Sequence, residues 1–108
     1  MKTALACAVR LASPADAPAV ISLNEAALHG RWSSASIEWA IARGEVLVAE
    51  NSLQVVGFAV LTVVAGEAEL MLIATAKASR RTGVGSVLLD HCRDVAVAAG
   101  AGCIHLDV

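Results

Sequence analysis

At 108 residues the chain has room for one domain and no more. Hydrophobic residues make up 57% of it, which excludes a disordered polymer, and with aromatics at only 3% the core must be assembled from Val, Leu, Ile and Ala. A formal net charge of −2 argues against a nucleic-acid binder working by phosphate neutralisation, and no apolar run reaches the roughly 18 residues that span a bilayer.

Residues 1–8 are too short for a signal-peptide core. Residues 6–11 form a short apolar run that predicts an edge strand. Ser13-Pro14-Ala15-Asp16 reads as a helix start. Ser13 suits the cap, Pro14 the first helical position, and Asp16 stands three residues after the cap. The helix runs to about His29, with Val20, Leu23, Ala27 and Leu28 on one face, and Gly30 ends it. Ser33 or Ser34 caps a second, short helix with Ile37 and Ile41 at i, i+4 spacing, and Gly44 closes it. Trp39, within that helix, is expected to anchor it on a sheet. Residues 45–50 predict a strand, Asn51-Ser52 a turn, and residues 54–64 a long β-branched strand. Gly66 turns the chain into another strand over 67–75. The order so far is strand, two helices, antiparallel meander.

Residues 76–82 form a polar loop in which Lys77, Arg80 and Arg81 cluster, a local anion site in a mildly acidic protein. Residues 83–99 show the clearest helical period. Val84, Val87, Leu88, Cys92, Val95, Ala96 and Ala99 share one broad face, while Ser86, Asp90, Arg93, Asp94 and Val97 fall opposite. Residues 103–108 predict a last strand, joined to the one before the helix by a parallel, right-handed crossover. Cys7, Cys92 and Cys103 are odd in number and lack Cys-x-x-Cys spacing, so they are read as reduced, buried thiols of a cytoplasmic protein, not a disulfide or zinc framework. None of His29, His91 and His105 is placed with a cysteine or carboxylate pair at metal-ligand spacing, and no metal site is expected. The plain reading of His91 is a core or interface histidine, and of His29 a dipole contact at a helix end.

The segment richest in chemical information is Arg80-Arg81-Thr82-Gly83-Val84-Gly85-Ser86. Two glycines open a helix directly after a strand and a basic loop. A helix N-terminus leaves backbone N–H groups unpaired and carries partial positive charge. Glycine lets the main chain approach a phosphate without a Cβ in the way, and Arg80 and Arg81 add forked donors. No Gly-Lys-Ser/Thr follows, which excludes a P-loop. A dinucleotide fold would place its glycines after the first strand, not after a meander.

Arg80-x-x-Gly83-x-Gly85 resembles the Arg/Gln-x-x-Gly-x-Gly/Ala signature of the GNAT N-acetyltransferases, and stands where that family has it, between fourth strand and third helix. The likeness covers nearly the whole chain. Residues 9–16 look like the family's first strand and first helix start. Arg31-Trp32-Ser33 resembles the Pro-Trp-Ser segment of the RimI type, which acetylates the N-terminal amine of a ribosomal protein. Residues 67–75 and Leu106-Asp107-Val108 resemble that type's fourth and fifth strands. The resemblance implies an α/β (α+β) acyl-CoA N-acyltransferase fold, a mixed sheet with antiparallel meander and strand–helix–strand crossover, here lacking the last helix and strands.

It implies acetyl-CoA as co-substrate and a peptide or protein N-terminus as acceptor; charge and composition, as above, lead us to expect no membrane or nucleic-acid partner. By position, the pyrophosphate falls to Arg80, Arg81, Thr82, Gly83, Val84, Gly85 and Ser86, and the pantetheine arm to backbone groups of Ile73, Ala74 and Thr75. Thr82 departs from the third basic residue frequent in the RimI type. Asp107 matches the position of the general base. Aspartate replaces the family's glutamate there and, one methylene shorter, calls for an intervening water. Along the last strand Cys103, His105 and Asp107 share one face, leaving Ile104, Leu106 and Val108 to fill the core. Glu67 and Glu69 are rival bases, and Trp32 a candidate acceptor contact. The family continues past this point with an Asn on the cofactor, a tyrosine as general acid and two more strands, whereas this sequence has no tyrosine. A truncated coding sequence, or a binding protein without turnover, is the expectation that follows, with residues 103–108 a bare apolar edge.

Overall fold

Two-residue turns between β-branched runs build the centre of the fold. Strands β2 (Val46–Asn51), β3 (Gln54–Val64) and β4 (Glu67–Thr75) are successive antiparallel neighbours. Each turn uses two left-handed residues: Ser52 and Leu53 at φ 53° and 67°, Ala65 and Gly66 at φ 53° and 80°. That backbone matches the twist of the strands, so two residues suffice. Strand β1 (Ala8–Leu11) lies antiparallel on the outer side of β2, and β5 (Ile104–Leu106) lies parallel beside β4. The sheet order is β1-β2-β3-β4-β5. The structure, a computed structural model, describes residues 7–106. Position 6 of the predicted first strand and positions 107 and 108 of the last lie outside the described residues.

A 3-10 turn at Pro14–Asp16 leads into α1 (Ala17–Leu28), followed by α2 (Ser34–Ala42). Helix α3 (Val84–Ala98) links β4 to β5 and completes the predicted parallel crossover. Successive side chains of a strand point to opposite faces. Val46 and Val48 therefore meet α1 and α2 through Val20, Ile37, Ala40 and Ile41. Leu47 and Ala49 meet α3 through Leu88, Cys92 and Ala96. The sheet is thus sandwiched between two helical layers, each with its own cluster.

Strand β4 breaks the alternation. Ala68 and Leu70 join the α3 cluster, but Leu72 and Ala74 join the α1–α2 cluster. The register explains this. Leu61 faces Leu70 and Val60 faces Leu72, so Met71 is an extra residue on β4. Such a bulge reverses which face the following residues take.

Several side chains differ from expectation. Trp39 does not anchor α2 on the sheet; it is 65% exposed, because Ile37, Ala40 and Ile41 already fill that face. The buried arc of α3 is narrower than the apolar pattern: Val84, Leu88, Cys92 and Ala96 are buried, while Val95 and Ala99 are exposed. Of the three cysteines only Cys92 is buried; Cys7 is half-buried and Cys103 exposed. Leu106 does not fill the core either, being 67% exposed at a strand whose described pairing is with β4 alone.

Two polar anchors hold the helical layer. The guanidinium of Arg10 donates to both carboxylate oxygens of Asp16, at 2.8 and 3.0 Å, and to Glu50 at 3.1 Å. Buried Asn24 of α1 donates to the Trp32 carbonyl at 2.8 Å and accepts the Trp32 N–H at 3.4 Å, so it fixes the α1–α2 connection. Among the described residues no helix is long and apolar enough to cross a membrane.

Candidate functional site

The described pairing of β5 with β4 covers Ala68, Glu69 and Leu70 only. Strand β4 runs on to Thr75, and its bulge at Met71 begins where that pairing stops. Beyond it, the β5 side of β4 carries backbone N–H and C=O groups with no sheet partner among the described residues. Ile73, Ala74 and Thr75 stand on this stretch.

The chain leaves β4 through a 3-10 turn at Lys77–Ser79 and an extended Arg80. Arg81 (φ 67°) and Gly83 (φ 92°) are then left-handed. Gly83 is the N-cap of α3, and no side chain caps this helix. The first helical bond runs from the Val87 N–H to the Gly83 carbonyl, 3.0 Å. The N–H groups of Val84, Gly85 and Ser86 therefore precede any intrahelical acceptor, at the positive end of the helix dipole. Left-handed residues in such a loop curl successive N–H groups towards one side, a concavity suited to an anion. The Thr82 hydroxyl donates to the Ser79 carbonyl, and Arg80 Nε donates to the Thr75 carbonyl at 3.4 Å, tying loop to strand.

Two glycines shape the surroundings. A Cβ on Gly57 of β3 would lie 3.0 Å from the Ala74 carbonyl oxygen, 3.0 Å from Val84 Cγ1 and 3.1 Å from Leu88 Cδ1. Glycine there lets the first turns of α3 sit directly on the sheet. On Gly85 the nearest atom to an added Cβ is Thr75 Oγ1 at 3.9 Å, so the missing side chain leaves the surface between α3 and Thr75 open.

At Gly85 lies a cleft of about 340 Å³ that brings Ile73, Ala74, Thr75, Arg80 and Gly85 together with Ala27, Leu28 and Leu89. Arg81, Thr82 and Ser86 are exposed beside it, and Lys77 is exposed on the loop. The Val84 side chain is buried in the core, so this residue can offer only its backbone. Ala27, Leu28, Leu89 and Gly57 were missed by sequence reasoning. Only Gly57 left a signal, as a glycine interrupting a β-branched run. The donor set fits a diphosphate: uncapped N–H groups, two nearby guanidinium groups and no Cβ over the approach.

The remaining candidates lie elsewhere. Trp32 is half-buried and lines a different cleft, of about 390 Å³, over α2. Glu67 and Glu69 line a third, with His105, at the start of β4 and so at the far end of that strand from Ile73, Ala74 and Thr75. Glu67 Oε1 and Cys103 Sγ each lie 3.9 Å from His105 Nε2, and all three residues are exposed. Asp107 lies outside the described residues. His91 is half-buried on α3, and His29 is the left-handed C-cap of α1. Burial pushes the Cys92 thiol up to about 11, so this sulfur is no nucleophile at neutral pH. Among the described residues no group of three or more His, Cys, Asp or Glu is placed to hold a metal ion.

Comparison with known proteins sets this geometry in a family. No curated protein sequence matches the chain. Solved structures do. Ard1 from Thermoplasma volcanium is 27% identical with a TM-score of 0.86, and the alignment covers 94% of this chain and 71% of that one. The ribosomal-protein-S18-alanine N-acetyltransferase from Escherichia coli is also 27% identical, with a TM-score of 0.82, covering 94% of this chain and 66% of the other. N-acetylglutamate synthase from Neisseria gonorrhoeae, solved with coenzyme A and N-acetyl-glutamate, is 25% identical with a TM-score of 0.83, covering 97% of this chain and 26% of that one. The chain therefore spans only part of each of these proteins. The family model described as "Acetyltransferase (GNAT) family" matches residues 17–108, which takes in every element of the sheet except β1, all three helices and the glycine loop, so the chain belongs to the GNAT acetyltransferase family.

Proposed function

We propose that this chain binds acetyl-CoA as part of an N-acetyltransferase, and that its acceptor is the N-terminal α-amine of a polypeptide. The observation that carries the reading is the uncapped, left-handed entry to α3 beside the edge of β4 that has no sheet partner among the described residues. A diphosphate accepts from the N–H groups of Val84, Gly85 and Ser86, with Arg80 and Arg81 supplying charge. An amide-containing arm pairs with the backbone of Ile73, Ala74 and Thr75 as an added strand would. The Neisseria gonorrhoeae relative, solved with coenzyme A, supports the cofactor. The Escherichia coli relative, named for a ribosomal-protein alanine, supports the acceptor.

In the reaction the amine nitrogen bonds to the acyl carbon and the carbon–sulfur bond breaks; the sulfur leaves with the bonding pair and takes up the proton that the nitrogen loses, giving the free thiol. An ammonium has no lone pair, so a base must first take a proton, and a carboxylate acting directly or through water can do so. Asp107 is our candidate, acting through a water. A backbone N–H near Ile73 receives the charge that develops on the acyl oxygen. Glu67 and Glu69, at the opposite end of β4 from Ile73, Ala74 and Thr75, are the weaker candidates.

Release of free thiol from acetyl-CoA with an Ala-initiated peptide tests the reading. Turnover is expected with the peptide, and Asp107→Asn is expected to lower it about 100-fold with acetyl-CoA affinity unchanged. Turnover on polyamines or aminoglycosides alone would assign a small-molecule acceptor. Binding without turnover on any amine would leave a binding protein. Equal rates for Asp107→Asn and the unaltered protein would remove Asp107 from the mechanism.

A further inference from the structure

Trp32, the candidate acceptor contact, lines a cleft over α2 that the proposed reaction itself leaves unused. The cleft is a concavity of about 390 Å³ whose lining holds Arg31, Trp32, Trp39 and Arg43, with the Ser33 and Ser36 side chains beside them and no carboxylate. In a chain of net charge −2 this is a local reversal of sign. Trp39 is 65% exposed and stands outside the face that Ile37, Ala40 and Ile41 bury. Arg43 uses Nε for Glu45, at 3.1 Å, and Arg31 makes no ion pair among the described residues. Forked donors flanking an exposed indole match carboxylates interspersed with apolar atoms, the guanidinium groups taking the charge and the indole the apolar contact. Trp and Arg are also the side chains on which polypeptide recognition concentrates.

The cleft is also close to the candidate cofactor site. Leu28 lines the cleft beside the glycine loop, and Arg31 lines the one over α2. Three residues of chain span at most about 11 Å. Asn24 fixes the intervening segment by bonding Trp32 through both its backbone groups. The two clefts therefore come, at Leu28 and Arg31, within reach of about three or four extended residues of a bound polypeptide.

We infer that the cleft formed by Arg31, Trp39 and Arg43 is a docking subsite for an acidic segment of a polypeptide acceptor, about four to seven residues from its reacting amine. The inference rests on the proposed function for the direction in which the acceptor runs. Its charge preference rests on the cleft alone.

The test is calorimetric titration of three Ala-initiated decapeptides, with Glu, Ser or Lys at positions 4–7, and of a single-stranded RNA of similar charge. The Glu peptide is expected to bind about tenfold tighter than the Lys peptide and to weaken as salt rises. Arg31→Glu is expected to abolish that preference, and Trp39→Ala to weaken all three peptides about fivefold, as loss of an exposed aromatic contact would. Both side chains are exposed, so neither change threatens the fold. Acetyl-CoA affinity, titrated in the same variants, is expected to be unchanged. Equal affinity for the three peptides, tighter binding of the RNA, or a preference that survives Arg31→Glu would overturn the subsite. An unaltered protein that ignores acetyl-CoA yet keeps an Arg31-dependent preference would remove the proposed function and leave the cleft as an acidic-peptide site.

Discussion

Asp16 shows how one side chain carries both local and global structure. Its carboxylate accepts from the Arg10 guanidinium at 2.8 and 3.0 Å and from the Ser13 N–H at 2.7 Å, joining β1, the 3-10 turn and, through Glu50, strand β2. The hydrogen bonds from Arg10, helped by the Ser13 N–H, hold its pKa at about 2 against the opposing effect of burial. The folded value is depressed below the unfolded value of about 3.9. The stabilisation is therefore complete above about pH 4 and lost as pH falls through about 2. A shift of that size corresponds to about 2 kcal/mol. Asp16→Asn is expected to lower unfolding free energy by about that much at pH 7 in urea titrations, with the gap to the unaltered protein closing between about pH 4 and 2. A gap that stays constant across that range would assign the stabilisation to something other than the ion pair. The sequence made Asp16 legible as a helix-start residue, because that role depends on spacing. Its partner Arg10, the buried Asn24 and the steric need for Gly57 were not legible, since each depends on contacts between segments distant in the chain.

At the scale of elements, local chemistry decided most of the outcome. The strands predicted over residues 54–64 and 67–75 match β3 and β4, because β-branched runs bounded by two-residue turns leave little choice. What the periodicity did not reveal is the bulge at Met71, which moves Leu72 and Ala74 to the α1–α2 face. Trp39 and Leu106 went wrong for a related reason: hydrophobicity says that a residue is able to be buried, not that a partner surface is available. The β2–β3 turn offers a direct test of turn chemistry. Ser52 and Leu53 both hold positive φ, and Leu53 is 92% exposed, so its side chain gains no packing to offset the backbone cost. Replacing Ser52-Leu53 by Asn-Gly, the pair that favours this turn, is expected to raise stability by about 1 kcal/mol in urea unfolding, with an unchanged slope. No change, or destabilisation, would mean that Leu53 makes a contact this structure lacks.

For the molecule as a whole, the two clusters give the sheet different tasks on its two faces. One face holds α1 and α2, whose connecting segment carries the Arg31 and Trp32 cleft. The other seats α3 so closely, across Gly57, that its bare N-terminus abuts the end of β4. The glycine loop and its place between fourth strand and third helix were readable in the sequence. The apolar walls supplied by Ala27, Leu28 and Leu89 were not, because they converge only once the helices are docked. The most direct measurement is calorimetric titration of acetyl-CoA into the protein and into Gly83→Val. Gly83 sits at φ 92°, where a β-branched residue is a steric outlier, so valine there would deform the loop of the proposed diphosphate site. Saturable binding at micromolar concentration by the unaltered protein, abolished in the variant while the fold is kept, is the expected result. Folded protein that fails to bind acetyl-CoA at millimolar concentration, or equal binding by the two, would contradict the account.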